Sequence, residues 1–176
     1  MLHFKLEAKL RVSAPAASTA AACAIRPCCT AINLTKNALE QSILGNAGSN
    51  RLNGRGGDDV LTGGPGADVF VFQDTVAAGN IDKVNDYTVA DDQIELHASA
   101  FTGLAPGGLA PGAFTANANG AATLGRHRIV YETDTGFLWF DADGNGAGAQ
   151  VQFADLTGGL AMLATEFSVV GHVPGG

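Results

Sequence analysis

A nine-residue period through residues 45–71 constrains this chain more than any other feature. The three blocks read GNAGSNRLN (45–53), GRGGDDVLT (54–62) and GGPGADVFV (63–71). Each block divides into a six-residue loop and a three-residue strand. Glycine allows positive φ and close backbone approach, so such a loop can aim several carbonyl oxygens at one point. The strand triplet alternates, which turns its middle residue (Leu52, Leu61 or Phe70) to one face and its neighbours to the other. Extended backwards, the apolar phase falls on Ile43 and Leu34, where the loops lack the Gly and Asp pattern. Residues 30–44 therefore read as one or two degenerate rungs that keep the strand and lose the loop chemistry. Two nonapeptides make one turn of a coil, so loops eighteen residues apart stack on the same side and the apolar residues fill a thin interior between two parallel sheets.

The loop chemistry points to a hard cation. The sixth position carries Asn50, Asp59 and Asp68, whose oxygens join carbonyls from stacked loops. Six to eight oxygens in flexible geometry suit Ca²⁺ better than Mg²⁺, which keeps its waters and demands an octahedron. No Cys or His lies near, which disfavours zinc and other borderline metals. Loop 45–50 is expected to stack on loop 63–68, so that Asn50 and Asp68 face one ion with the carbonyls of Asn46, Gly48, Gly63 and Pro65. Asp59 belongs to the opposite row. Its lower neighbour, residues 36–41, is poor in ligands, and its ion is expected to draw on a later loop through Asp74. The full candidate ligand set is Asn46, Gly48, Asn50, Arg55, Gly57, Asp59, Gly63, Gly64, Pro65, Gly66 and Asp68, with Asp74, Asp86 and Asp92 downstream.

Past residue 71 the period stops, and other strand signals replace it. Residues 69–72 extend the last repeat, and residues 81–87 and 91–96 alternate as two further strands. Residues 102–125, rich in Gly, Ala, Pro and Asn, read as loop. Residues 128–132 and 137–140 around a turn at 133–136 form a hairpin. Residues 151–154 are another strand, and a short helical turn within 160–167 leads to a final strand at Val169 and Val170. The fold class is all-β: a short parallel β-roll (30–71, complete repeats 45–71) continuing into a sheet-rich C-terminal cap (72–176). Residues 1–29 are unassigned and read as disordered.

Charge follows this division. Residues 1–44 carry five Lys/Arg against two acids, residues 45–100 three against nine, and residues 101–176 two against six. An acidic body repels nucleic acid and anionic lipid and attracts cations. The three cysteines (Cys23, Cys28, Cys29) lie outside the acidic part and give no disulfide framework. No run approaches the roughly 18–20 apolar residues of a membrane-spanning helix. Residues 1–24 place Lys5, Lys9 and Arg11 before an Ala/Ser run, an arrangement that only faintly resembles a secretory leader, because the run is short of large apolar residues.

The block at 63–71 fits G-G-x-G-x-D-x-U-x, the calcium-binding repeat of RTX proteins, at every specified position. The block before it has Arg55 at the second glycine, and the first has Asn46 there and Asn50 for Asp. The chain thus resembles RTX (hemolysin-type) calcium-binding proteins exported by type I secretion. Its later part is similar to the C-terminal domain of serralysin-type metalloproteases. That similarity is carried by residues 63–72, by Asp82, Val84, Asp86 and Tyr87 in a D-x-V-x-D-Y strand, by Asp92, Ile94 and Leu96, and by Glu166, Phe167 and Val169 near the end. The resemblance implies a secreted, extracellular module that folds on calcium, with calcium ions and the type I secretion apparatus as partners. It departs from the family in that residues 171–176 follow the terminal apolar cluster.

Catalysis is not expected. His-Glu-x-x-His is absent, His3, His97, His127 and His172 are scattered, and neither G-x-S-x-G nor a cysteine–histidine arrangement occurs. Two other readings stay open: the C-terminal fragment of a secreted hydrolase whose catalytic part lies elsewhere, and a calcium-dependent surface adhesion protein. Residues 141–146 (DADGNG) match the opening of an EF-hand loop. However, the twelfth position is Gln152 and the flanks read as strands, so a polar loop is expected there.

Overall fold

The computed structural model describes residues 31–37 and 39–171. The expected disorder of 1–29, the leader-like segment, the cysteines and the last residues past Gly171 lie outside the described residues. The architecture is all-β, with two sheets wound by one chain. Strands β1 (Asn33–Thr35), β2 (Ser42–Leu44), β3 (Arg51–Asn53), β4 (Val60–Thr62), β5 (Val69–Phe72), β6 (Asp82–Val84) and β7 (Gln93–His97) alternate between the sheets. β1, β3, β5 and β7 pair in parallel in one sheet, and β2, β4 and β6 pair in parallel in the other. The register follows the nonapeptide phase, with Leu34 opposite Leu52, Leu52 opposite Phe70, and Ile43 opposite Leu61.

The interior forms as the alternation requires. Ile43, Leu52, Leu61 and Phe70 are each no more than 1% exposed. Burying a side chain of this size stabilises by about 1.5–3 kcal/mol, so four consecutive rungs hold the thin roll. Tyr87 lies over Phe70 with ring centroids 6.0 Å apart, and begins the transition to the cap.

The cap prolongs both sheets. β8 (Gly107–Gly108), β9 (Phe114–Asn117), β10 (Ile129–Glu132), β11 (Phe137–Phe140), β12 (Val151–Asp155) and β13 (Phe167–Val170) complete the strand set. The first sheet runs β1-β3-β5-β7-β13-β8 and the second β2-β4-β6-β12-β11-β10-β9. β1 and β2 are therefore edge strands on the roll side. β10 and β11 form the expected hairpin, with Ile129 opposite Phe140. A 3₁₀ turn at Ala164–Glu166 precedes the last strand. Phe101 packs edge-on against Phe140 and Phe153 at 5.2 and 5.0 Å, and Phe72 meets Phe153 at 5.1 Å. This aromatic cluster joins roll to cap.

One expectation is corrected: residues 102–125 are not all loop. β9 pairs in parallel with β10, Phe114 lying opposite Ile129, and a 3₁₀ turn at Pro111–Ala113 precedes it. Glycine, alanine and proline around Phe114 hide the strand signal, and its stability comes from the neighbouring strand instead of local propensity. No helix among the described residues is long and apolar enough to cross a membrane.

Candidate metal centre

The sixth position of each repeat loop is tied to the loop stacked on it by one recurring contact. In the first row the backbone N–H of Asn50 donates to Asp68 Oδ1 at 2.7 Å, and the N–H of Asp68 donates to Asp92 Oδ1 at 2.9 Å. In the second row the N–H of Gln41 donates to Asp59 Oδ1 at 2.7 Å, and the N–H of Asp59 donates to Asp82 Oδ1 at 3.1 Å. Backbone bonds run beside each link, such as Val69 N–H to Asn50 O and Val60 N–H to Gln41 O, both 2.8 Å. The sequence separation is 18 residues within the repeats and 23 or 24 where the cap takes over. The ladder therefore outlasts the motif that begins it.

Each ladder aspartate of the repeats uses one oxygen for this contact and leaves the other unmatched. Asp59 Oδ2 and Asp68 Oδ2 are buried without a hydrogen-bond partner, and so is Asn50 Oδ1. Asp59 and Asp68 are each 1% exposed. A buried carboxylate oxygen left unmatched is costly unless it meets a cation. The first glycine of each loop makes the space: a side chain at Gly54 would strike the Asp59 carboxylate, and one at Gly63 would strike that of Asp68. Gly64 (φ +92°) and Gly66 (φ +144°) bring the upper loop down on the lower. A Cβ there would lie 2.7 Å from Asn46 O and 2.8 Å from Gly48 O.

Asn50 shows where these oxygens converge. Its side-chain Nδ2 donates to Asn46 O at 3.2 Å, to Asp68 Oδ1 at 3.1 Å and to Gly48 O. Two carbonyls and a carboxylate aimed at one point are oxygen donors of the kind that Ca²⁺ takes. Among the described residues no three His, Cys, Asp or Glu side chains gather in a metal-binding group. An ion held there would depend on backbone carbonyls for most of its ligands, as the loop composition suggests. The oxygens present fit Ca²⁺, with Asp68 and Asn50 in the first row and Asp59 in the second.

The other candidate positions divide by role. Arg55 takes φ +75° where the repeat prefers glycine, and its backbone N–H donates to Asn53 Oδ1 at 3.0 Å. Gly57 (φ +96°) sits against Leu39 and Glu40, where a Cβ would meet backbone at 3.0 Å. Pro65 lies at the exposed tip of its loop. Asp86 accepts the N–H groups of Gly63 at 2.9 Å and Gly64 at 2.8 Å, so its two oxygens clamp the loop backbone. Asp92 divides its oxygens between the N–H groups of Asp68 and of Thr88, the latter at 2.8 Å. Beside Asp74, which the sequence offers for the Asp59 row, the carboxylate that meets the Asp59 rung from above is Asp82. The loop between β5 and β6 is longer than a repeat loop, so Asp74 falls at its start, while Asp82 arrives at the stacking position. Sequence reasoning placed Asp82 in the D-x-V-x-D-Y strand without assigning it to the ladder, although that spacing was the available signal.

Burial and mutual repulsion set the electrostatics. Desolvation pushes the carboxyl groups of Asp59 and Asp92 above the ordinary range. Asp82 is pushed to about 7, first by desolvation and then by the charges of Asp59, Asp58 and Asp74. A bound cation reverses this balance by stabilising the charged forms. Residues 141–148 behave differently. Asp141 Oδ1 accepts the N–H of Asp143 at 3.2 Å, and Asp143 Oδ2 accepts that of Gly148 at 2.9 Å, closing a polar loop between the antiparallel strands β11 and β12.

The family model of the RTX calcium-binding nonapeptide repeat (4 copies) matches residues 42–71. That span covers β2 to β5 and the loops that carry Asn50, Asp59 and Asp68. No curated protein and no solved structure matches the chain.

Proposed function

We propose, on the premise that residues 42–71 are RTX calcium-binding nonapeptide repeats, that this chain is a non-catalytic module exported by type I secretion and folded outside the cell by calcium. The observation that carries this reading is the matched pair of buried, unpartnered oxygens, Asp59 Oδ2 and Asp68 Oδ2, at equivalent places in the two rows. Without a counter-cation the stacked loops hold acidic groups whose charged forms burial disfavours, desolvation pushing the Asp59 and Asp82 carboxyl groups up. The unfolded chain keeps those groups solvated and apart, which suits passage through a narrow exporter. Extracellular modules of this kind bind calcium with dissociation constants of about 10⁻⁴–10⁻³ M. Each site that binds only the folded state adds stability by mass action, about 2.7 kcal/mol at a hundredfold excess over its dissociation constant. Two or three such sites are comparable with the whole stability of a small domain. The similarity of the cap to the serralysin C-terminal domain belongs to the same proposal.

The test is a calcium titration of the full chain followed by far-ultraviolet circular dichroism, with magnesium as control. β-Signal is expected to rise cooperatively with calcium and to change little with magnesium. A chain fully folded in excess chelator and insensitive to calcium would overturn the reading.

A further inference from the structure

Residues 101–176 carry six acids against two Lys/Arg side chains, Arg126 and Arg128. Both arginines line one cleft of about 350 Å³ in the cap, between the segment around β8 and the turn before β10. None of the lining residues is acidic, and neither arginine enters any of the ion pairs found among the described residues. Asp143, in the loop that packs on Gly125, turns Oδ2 to the N–H of Gly148 at 2.9 Å and is absent from the wall.

The chain places the two guanidiniums by backbone contacts and by leaving them room. Arg128 Nη1 donates to Gly125 O at 2.8 Å and to His127 O at 3.0 Å. A Cβ at Gly103 would lie 3.7 Å from Arg128 Nε, and one at Gly112 would lie 3.0 Å from Arg126 Nε. His127 between them turns inward, 7% exposed, with Nδ1 accepting the Thr123 N–H at 3.3 Å. The floor is apolar: Leu104 and Leu109, both buried, and Ala113. On the β8 side a Cβ at Gly108 would meet nothing within 4 Å, so the cleft is open there to an entering molecule.

The geometry points to a binding cleft for a small organic anion, with its carboxylate held by Arg126 and Arg128 and its apolar body laid over Leu104, Leu109 and Ala113.

Charge, shape and size select this class together. Two unpaired guanidiniums with no acid in the wall favour an anion, and the planar fork of arginine suits a carboxylate. The acidic body around the cleft repels an extended polyanion such as nucleic acid, whereas a single carboxylate is matched by the two arginines alone. A bare inorganic anion leaves the apolar floor wet, so an attached apolar body adds affinity. The volume lies at the lower end of the about 300–1,000 Å³ usual for small-molecule clefts. All the lining residues fall within 103–128 and none belongs to a repeat loop, so the inference stands apart from the calcium reading.

Binding of hexanoate to the full chain in calcium buffer, followed by NMR amide shifts, tests this with acetate and hexanamide as controls. Hexanoate is expected to shift the amides of Gly103, Gly108 and Leu109 saturably. It is expected to bind about tenfold more tightly than acetate, which lacks the apolar body, or hexanamide, which lacks the charge. Arg126 is exposed, so Arg126→Gln removes a charge without emptying a buried site, and it is expected to weaken hexanoate binding about tenfold. Arg128→Gln also gives up the contacts to Gly125 and His127, and the decision therefore rests on the Arg126 variant. Hexanoate that binds no better than hexanamide or acetate overturns the proposal. So does an Arg126→Gln chain that binds as wild type does, a shift pattern away from those three amides, or no saturable binding in the millimolar range.

Discussion

The backbone N–H of Asn50 is held by Asp68 Oδ1 at 2.7 Å, and Asp68 Oδ2 on the same carboxylate is left buried without a partner. One carboxylate thus divides its oxygens: one fastens the rung below, and the other is left available to a cation. The opposite row repeats the division with Gln41 and Asp59.

This double use separates a defined site from general acidity. Asp68→Ala is expected to weaken calcium binding more than tenfold, and Asp134→Ala less than twofold. Each removes one charge, and salt screens the long-range part within about 10 Å. Asp134 stands in the exposed turn between β10 and β11, outside the repeat loops, and its carboxylate accepts from the Thr133 hydroxyl. Titration calorimetry at one ionic strength checks the difference, and equal losses would mean that calcium merely neutralises an acidic surface.

Asn50→Asp is expected to make the chain more dependent on calcium. In the native side chain, Nδ2 donates to Asn46 O, Gly48 O and Asp68 Oδ1. A carboxylate there offers only acceptors to those three oxygens. Its cost without calcium is of the order of the 1–3 kcal/mol of an unsatisfied buried group, and more for a charge. With calcium it supplies a further anionic ligand. Chelator-treated variant is therefore expected to be less folded than wild type, and its calcium affinity higher. The reverse order would show that the amide is the preferred ligand.

Leu61→Asp removes no ligand, yet it is expected to abolish the calcium response. Leu61 is fully buried between Ile43 and Val84 on the paired strands. Burying an unpaired carboxylate there costs several kcal/mol, a large share of a small domain's stability. A normal dichroism titration in this variant would contradict the observed register.

Glu95 gives an acid-side signature in calcium-saturated protein. Arg51 on β3 reaches across β5 to Glu95 on β7 in a two-pronged ion pair, with Nη2 2.6 Å from Oε1, and His97 Nε2 lies 3.0 Å from that oxygen. The bonded guanidinium holds the Glu95 carboxyl below its ordinary value of 4.5. A carboxyl depressed in the folded state contributes stability that is full above its unfolded pKa and is lost as pH falls through the folded one. Arg51 is partly exposed, so the effect is modest, about 1 kcal/mol or less. Thermal melts of wild type and Glu95→Gln should differ at neutral pH and converge as pH falls through the lowered range in which the folded Glu95 carboxyl takes up its proton. A constant gap would exclude the ion pair as its source.

Legibility in the sequence followed the period. The phase that joins Leu34, Ile43, Leu52, Leu61 and Phe70 also determines which strands pair and in what register, because a two-residue alternation and a fixed loop length leave one way to stack. Beyond Phe72 loop length varies. Asp82 and Asp92 reach ladder positions after 23 and 24 residues instead of 18, an offset no local pattern announces. Asp86 was legible as a conspicuous acid but not as a clamp on the N–H groups of Gly63 and Gly64, since its role depends on a loop more than twenty residues away. The Phe114 strand was missed because only the strand beside it gives it reason to extend.

The ladder also has a direction. Every rung's amide is secured by a carboxylate that comes later in the chain: Gln41 by Asp59, Asn50 by Asp68, and those two aspartates by Asp82 and Asp92. Dependence therefore runs one way, from the N-terminal side toward the cap. Trimming the roll from its β1 edge leaves every surviving rung secured, whereas removing the cap strips Asp59 and Asp68 of their acceptors at once. The cap is thus the anchored end of the roll, and both rows hang from it as tiles hang from a wall.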